Sequence, residues 1–338
     1  MNRRICLIVL SAVTIMYSKA NAQQVPANLK ISALNMENIS YPFTPHFIHL
    51  KLQRQLFSLE YMDVHPNRPN GKTIMLLHGK NFDGSYWKQT ADVLTKKGYR
   101  VVIPDQLGFG KSDKPQNFQF SFQNLASNTK AILDKLGVKK VIVLGHSMGG
   151  MIATRFSLMY PQIVEKLILE DPIGLENYNL LVPRVSVDTW YKSELAQTYA
   201  TRKAYQLKFY YGGKWDSAYD ETLNNNATWT MNKKDYPKIA WTSALCYDMI
   251  MTQPVCTDFD KLNLPTLLII GQEDRTAVGK SYALKEVGDK MGDYPKLGKL
   301  THNKIKGSEL VELPGIGHLP HVQNFKAFIE PLLAFLEK

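Results

Sequence analysis

The sequence predicts an α/β fold: a mostly parallel, eight-stranded sheet with helices on both faces and a helical cap insertion. Three observations predict it. Short apolar runs alternate with helix-like stretches along most of the chain. The runs are short and apolar, as strands covered on both faces are. Between Ile173 and Val255 the alternation stops for about 80 residues, too long for a structureless loop in a compact domain.

Phe47 to Leu52 and Leu56 to Val64 read as antiparallel strands, and Pro66 to Gly71 as a turn into the buried strand Thr73 to Leu77. Ser85 to Lys97 reads as a helix closed by Gly98, Arg100 to Pro104 as a strand, and Phe122 to Leu136 as a helix closed by Gly137. Lys140 to Leu144 is the next strand, with a helix-like stretch from Met151 to Phe156. Val164 to Leu169, Pro265 to Ile270 and Glu309 to Leu313 complete the strands, and Phe325 to Leu336 is the closing helix. The core is thus expected over 47–172 and 256–338, and the cap over 173–255. That cap is rich in rings, from Tyr178 and Trp190 to Trp241 and Tyr247. Many of them must pack it onto the sheet, and a minority line an apolar pocket.

The 338 residues are 44% hydrophobic and 21% charged, which fits a soluble globular protein and excludes a disordered or collagen-like chain. Arg3 and Arg4, the apolar run Ile5 to Met16 and Ala20-Asn21-Ala22 read as a secretory signal over residues 1–22. The mature protein is expected to start at Gln23, outside the cytoplasm and in the periplasm or medium, with a polar, extended lead-in over 23–46. The apolar run is shorter than the roughly 20 residues that span a bilayer, and none follows that approaches it, so stable membrane insertion is not expected. Loss of Arg3, Arg4 and Lys19 would lower the formal net charge from +11 to +8. No basic cluster interleaved with aromatics accompanies that charge, so nucleic acid is not an expected partner. Cys6 leaves with the signal, and Cys246 and Cys256 either pair or stay as buried thiols.

Gly145-His146-Ser147-Met148-Gly149 lies between a strand and a helix, the context in which a G-x-S-x-G turn exposes a serine hydroxyl for attack. His78-Gly79-Lys80-Asn81 follows the third strand. Gly271-Gln272-Glu273-Asp274 and Gly315-Ile316-Gly317-His318 follow the last two strands. Gly108-Phe109-Gly110-Lys111-Ser112 ends like a phosphate-binding loop, but Asp105 stands where the first glycine must be. His318-x-x-His321 lacks carboxylate or thiolate partners at metal-site spacing, so no metal is expected.

With these pieces in this order, the chain from Phe47 to Lys338 resembles the α/β-hydrolase family. The resemblance implies a nucleophile, acid and histidine at Ser147, Asp274 and His318, in the family's chain order. His321 is the competitor to His318. Asp171, in Leu169-Glu170-Asp171-Pro172, is the alternative acid, because some members place it there. The oxyanion hole would use the backbone amides of Met148 and of Lys80, or of Asn81 in its stead. His78 and His146 would be structural, and Asp105 to Ser112 would match the D-x-x-G-x-G-x-S turn that braces the oxyanion loop.

The expected activity is that of a serine hydrolase, esterase-like or aminopeptidase-like, cleaving an ester or amide of a small, partly apolar molecule through an acyl-enzyme and without a cofactor. A serine nucleophile argues against haloalkane dehalogenases and epoxide hydrolases, which share the fold and use aspartate. Carbon-carbon bond hydrolases and acyltransferases use the same triad and stay open. So does a non-catalytic ligand-binding protein on this scaffold. Oligomeric state is not legible in the sequence.

Overall fold

A computed structural model describes residues 29–338. The signal reading over 1–22 and the first part of the lead-in lie outside the described residues. Eight strands follow in chain order: β1 (Pro45–Leu52), β2 (Gln55–Val64), β3 (Thr73–Leu77), β4 (Arg100–Pro104), β5 (Val141–His146), β6 (Val164–Glu170), β7 (Thr266–Gly271) and β8 (Glu309–Leu313). They form one sheet in the order β1-β2-β4-β3-β5-β6-β7-β8. The β1–β2 and β2–β4 pairs are antiparallel and the rest are parallel.

The period of two explains why the central strands read as unbroken apolar runs. Met75, Leu77, Val143, Leu268 and Ile270 enter one core. Their neighbours Ile74, Leu76, Ile142, Leu144, Leu267 and Ile269 enter the other. The first face is covered by α2 (Phe122–Lys135) and α3 (Met148–Met159). Helix α1 (Lys88–Lys96) and the closing helix, Phe325–Glu337, cover the second through Ala91, Leu94, Phe328 and Leu332. One turn of 3-10 helix, Gly84–Trp87, stands where the sequence suggested the start of α1.

Between β6 and β7 the chain leaves the sheet as five helices: α4 (Tyr178–Leu181), α5 (Val187–Leu195), α6 (Tyr199–Phe209), α7 (Asp220–Ala227) and α8 (Tyr236–Thr252). Helices α5 and α8 pack together, with Trp190 stacked on Tyr247 at 4.6 Å. Met249 and Ile250 of α8 reach into the first core, so this insertion shares apolar packing with the sheet. A further helix, Tyr294–Lys304, lies between β7 and β8 and was not signalled by the sequence.

The lead-in is more than a tether. Residues 29–44 form turns and bends without helix or strand, yet they carry the fully buried Met36 into a cluster with Trp229, Tyr236 and Ile239 of the insertion. The Trp229 indole donates to the Ala33 carbonyl at 2.8 Å. Lys111 of the core donates to the carbonyls of Met36 and Ile39. The segment thereby joins the insertion to the core. Met36→Ala should cost about 2–5 kcal/mol of stability, the range for emptying a buried large side chain, measured by denaturant unfolding; a loss well under 1 kcal/mol would show that the strap is not part of the cooperative unit.

Cys246 and Cys256 are both buried free thiols, the second of the two alternatives. Burial pushes the Cys246 thiol up to about 12, which keeps it inert as a nucleophile.

Candidate active site

β5 ends at His146 and α3 begins at Met148, leaving Ser147 alone in the turn with φ 55° and ψ −121°. Positive φ costs a residue with a Cβ, and the surroundings must impose it. Here the glycines allow the imposing contacts. A Cβ at Gly145 would lie 2.2 Å from the Gly149 carbonyl oxygen, and one at Gly149 would lie 2.1 Å from that of Leu77. The Ser147 amide donates to the Glu170 carbonyl, and the Ser147 carbonyl accepts from Gly150 and Ile173. The side chain stands at the cavity wall with only 5% of the residue exposed.

The loops after β7 and β8 bring the other two groups to it. The Glu273 amide donates to the Ile316 carbonyl at 2.8 Å, tying the loops together. His318 Nε2 lies 3.0 Å from Ser147 Oγ, and His318 Nδ1 lies 2.6 Å from Asp274 Oδ2. The other Asp274 oxygen accepts from the Thr276 amide at 2.8 Å, which fixes the carboxylate plane. His318 and Asp274 are wholly buried. Nδ1 of His318 therefore carries the proton given to Asp274, and Nε2 is free to accept one from the serine.

The rival residues lie elsewhere. Asp171 Oδ1 accepts from the Gly271 amide at 2.8 Å instead of meeting His318. Burial and the neighbouring Asp274 charge raise its carboxyl well above the usual range. His321 pairs with Glu170 through Nδ1 at 2.8 Å and stacks on Trp87 at 4.3 Å. His146 bonds the His318 carbonyl oxygen at 2.7 Å and the Tyr86 hydroxyl at 3.0 Å, and that hydroxyl accepts the Gly79 amide. Burial holds His146 well below the usual histidine range, so it is neutral. It joins the serine turn, the histidine loop and the loop after β3. His78 bonds the Gly79 carbonyl and accepts the Gln106 amide, bracing that loop against the turn at Asp105.

Met148 opens α3, and its amide is among the helix-start N–H groups that have no acceptor within the helix. Lys80 and Asn81 line the same cavity as Ser147, about 580 Å³ in volume. The rings that line it are Trp190, Tyr205, Phe209, Tyr210, Tyr247 and Tyr282. Trp229 and Tyr236 pack on Met36 instead, and Tyr211 stacks on Tyr219 with Trp215 edge-on to both.

Charged side chains in the cavity were missed. Sequence reading gave Lys80 only a backbone role, yet its ammonium donates to Ser243 Oγ at 2.6 Å and sits 3.5 Å from the Tyr247 ring centroid. Burial lowers its pKa to about 8. Arg202 donates to Glu194 at 3.0 Å and to the Tyr236 hydroxyl at 3.2 Å. Burial would raise the Glu194 carboxyl, but Lys80 and Arg202 outweigh it and hold the group below its ordinary value. No spacing signals this cluster, because α5, α6 and α8 meet only in the folded insertion.

A family model for the alpha/beta hydrolase fold matches residues 72–324. The chain belongs to the α/β-hydrolase family. This α/β-hydrolase is similar to a probable hydrolytic enzyme from Pseudomonas aeruginosa PAO1 of known crystal structure. The two are 44% identical with a TM-score of 0.90, over 92% of this chain and 99% of that one. A shorter stretch is 38% identical over 111 residues to a 2-hydroxy-6-oxononadienedioate/2-hydroxy-6-oxononatrienedioate hydrolase of Comamonas testosteroni, covering 32% of this chain and 38% of that protein. An uncharacterized protein of Mycobacterium tuberculosis is 33% identical over 124 residues, 35% of this chain and 36% of that one. The matched stretches span little more than a third of these two relatives. Among the described residues, no helix of the α/β-hydrolase is long and apolar enough to cross a membrane.

Proposed function

We propose that this α/β-hydrolase is a serine hydrolase that cleaves an ester or amide of a small molecule through an acyl-enzyme. The observation that carries the reading is the chain of contacts from Ser147 Oγ through His318 to Asp274, at 3.0 and 2.6 Å, opening on a cavity. Ser147 Oγ attacks the carbonyl carbon while its proton passes to His318 Nε2. Asp274 stabilises the resulting imidazolium, and the amides of Lys80 and Met148 face the oxyanion. Collapse expels the leaving group with the histidine's proton. Water, deprotonated by the same nitrogen, then attacks the acyl-enzyme carbonyl, and collapse releases the acid while Ser147 Oγ takes that proton back from His318. No step calls for a metal or cofactor, and the aromatic lining favours a partly apolar substrate.

The test is labelling by a fluorophosphonate, with mass spectrometry to locate the adduct, beside a panel of 4-nitrophenyl esters and aminoacyl anilides. An adduct on Ser147 together with hydrolysis supports the reading. Absence of both in folded protein returns the scaffold to ligand binding alone. The stretch similar to the Comamonas hydrolase supports carbon-carbon bond hydrolysis as a second reading. Turnover of 2-hydroxy-6-oxononadienedioate with the ester panel untouched would favour it.

We further propose that residues 1–22 are an export signal and that the mature protein is periplasmic or secreted, starting at Gln23. Amino-terminal sequencing of exported protein should read Gln23 onward. Titration of the denatured, non-reduced protein should find two thiols, Cys246 and Cys256. Three would mean that Cys6 is retained, and an intact Met1 would end the export reading.

A further inference from the structure

The cavity beside Ser147 is electrostatically lopsided. Among the described residues, its charged lining is Lys80, Arg202, Lys208 and Lys280 against the carboxylate of Glu194, and of these Lys280 gives its ammonium to the Met291 carbonyl at 2.8 Å and lies near Glu176. Lys80 and Glu194 are only 7% and 5% exposed, and the Arg202 side chain is 17% exposed. A charge taken out of water needs a partner or full hydrogen bonding, and one carboxylate neutralises one of the two inner cations.

The donors are in surplus as well. An ammonium has three N–H groups and a guanidinium five. Lys80 donates to Ser243 Oγ, and Arg202 uses one terminal nitrogen on Glu194 and Tyr236. Among the described residues, the buried Arg202 Nε has no acceptor. Lys80 also lies over the face of Tyr247, which attracts a cation but accepts little.

We propose that the substrate carries a carboxylate, distal to the scissile carbonyl, that docks in this cavity as the missing counter-ion of Lys80 and Arg202. The proposal rests on the serine-hydrolase reading and deepens it. Lys80 sets the geometry, since its backbone belongs to the loop beside Ser147 while its ammonium lies in the cluster, so one residue spans the two ends of such a substrate. Burial lowers the Lys80 pKa, with Glu194 opposing the fall and Arg202 adding to it, as expected where two cations share one carboxylate. A substrate amine fits worse. Among the described residues that line the cavity, Glu194 is the one carboxylate it could meet, and that group already bonds Arg202 and feels Lys80.

The experiment uses matched pairs. In one arm the carboxylate is in the acyl half: mono-4-nitrophenyl glutarate against 4-nitrophenyl valerate. In the other it is in the leaving half: 4-acetoxybenzoate against its methyl ester. One arm should show a kcat/KM preference for the acid of about 10- to 100-fold, the range of a charge-assisted hydrogen bond. Arg202→Gln should erase most of that preference and Glu194→Gln should enlarge it, with the neutral ester as the reference on each variant. If Arg202→Gln does not fold, Lys208→Gln lowers the same positive excess and should reduce the preference in part.

Calorimetry of Ser147→Ala with glutarate and with 1,5-pentanediol reads the site without turnover. Glutarate alone should bind. Fluorophosphonate labelling with no acid preference in either arm and no glutarate binding overturns the anion site and leaves the serine reading in place. Glutarate binding without labelling overturns the serine reading and keeps the anion site. Preference for the aminoacyl anilides over both acids would assign Glu194 to an amine instead and end the proposal.

Discussion

Ser147→Ala is expected to lower turnover by about 10⁴- to 10⁶-fold, with the unfolding transition little changed. In the proposed mechanism the hydroxyl is the atom that becomes acylated, so its loss should leave only what the oxyanion amides and binding alone retain. The stability change is small because alanine keeps the Cβ that already tolerates φ 55°. The lost hydrogen bond, to His318 at 3.0 Å, faces a cavity. His318→Ala should match the serine variant within about an order of magnitude, since the two act as a unit. Activity at the wild-type rate in pure Ser147→Ala protein would sink the assignment, and an adduct elsewhere in the labelled wild type would say where to look.

What the sequence displayed and what it hid divide along a physical line. The parallel strands were legible because residues such as Ile74 and Met75 are apolar on both faces, a pattern that needs no knowledge of neighbours. The serine turn was legible for a similar reason: Gly145 and Gly149 answer to backbone contacts a few residues away or on the adjacent strand. The Lys80, Glu194 and Arg202 cluster was not. Lys80 meets Ser243 across 163 positions of sequence, so its ammonium has no local signature. Met36 was hidden likewise, because a single buried methionine in a polar segment has no period to betray it. The separation of pocket rings from packing rings required the insertion's tertiary fold, since Trp190 and Trp229 look alike in sequence and end in the cavity wall and the strap contact respectively.

Asp274→Asn is expected to cost about 10⁴-fold in turnover, and Asp171→Asn less than about tenfold. Asp274 accepts the His318 Nδ1 proton at 2.6 Å, so an amide there can present its NH₂ to the ring, reverse the tautomer and leave the imidazolium without a counter-charge. Asp171 differs. Its one hydrogen bond is accepted from the Gly271 amide, which an asparagine carbonyl accepts equally well. Burial and the Asp274 charge raise its carboxyl, which favours the neutral acid that asparagine resembles. The sign of the stability effect follows by linkage. Between the ordinary carboxylate pKa, near 4, and the raised folded value, the folded state holds a proton that the unfolded state has released. Wild-type stability therefore falls as pH rises through that window, and Asp171→Asn removes the fall. The variant should gain on the wild type from about pH 4 upward in denaturant titrations, and a constant difference across that range would mean that Asp171 is ionised in the fold. If the kinetic ranking were reversed, with Asp171→Asn the worse enzyme, the acid would move to the end of β6 and the short contact of Asp274 with His318 would be structural.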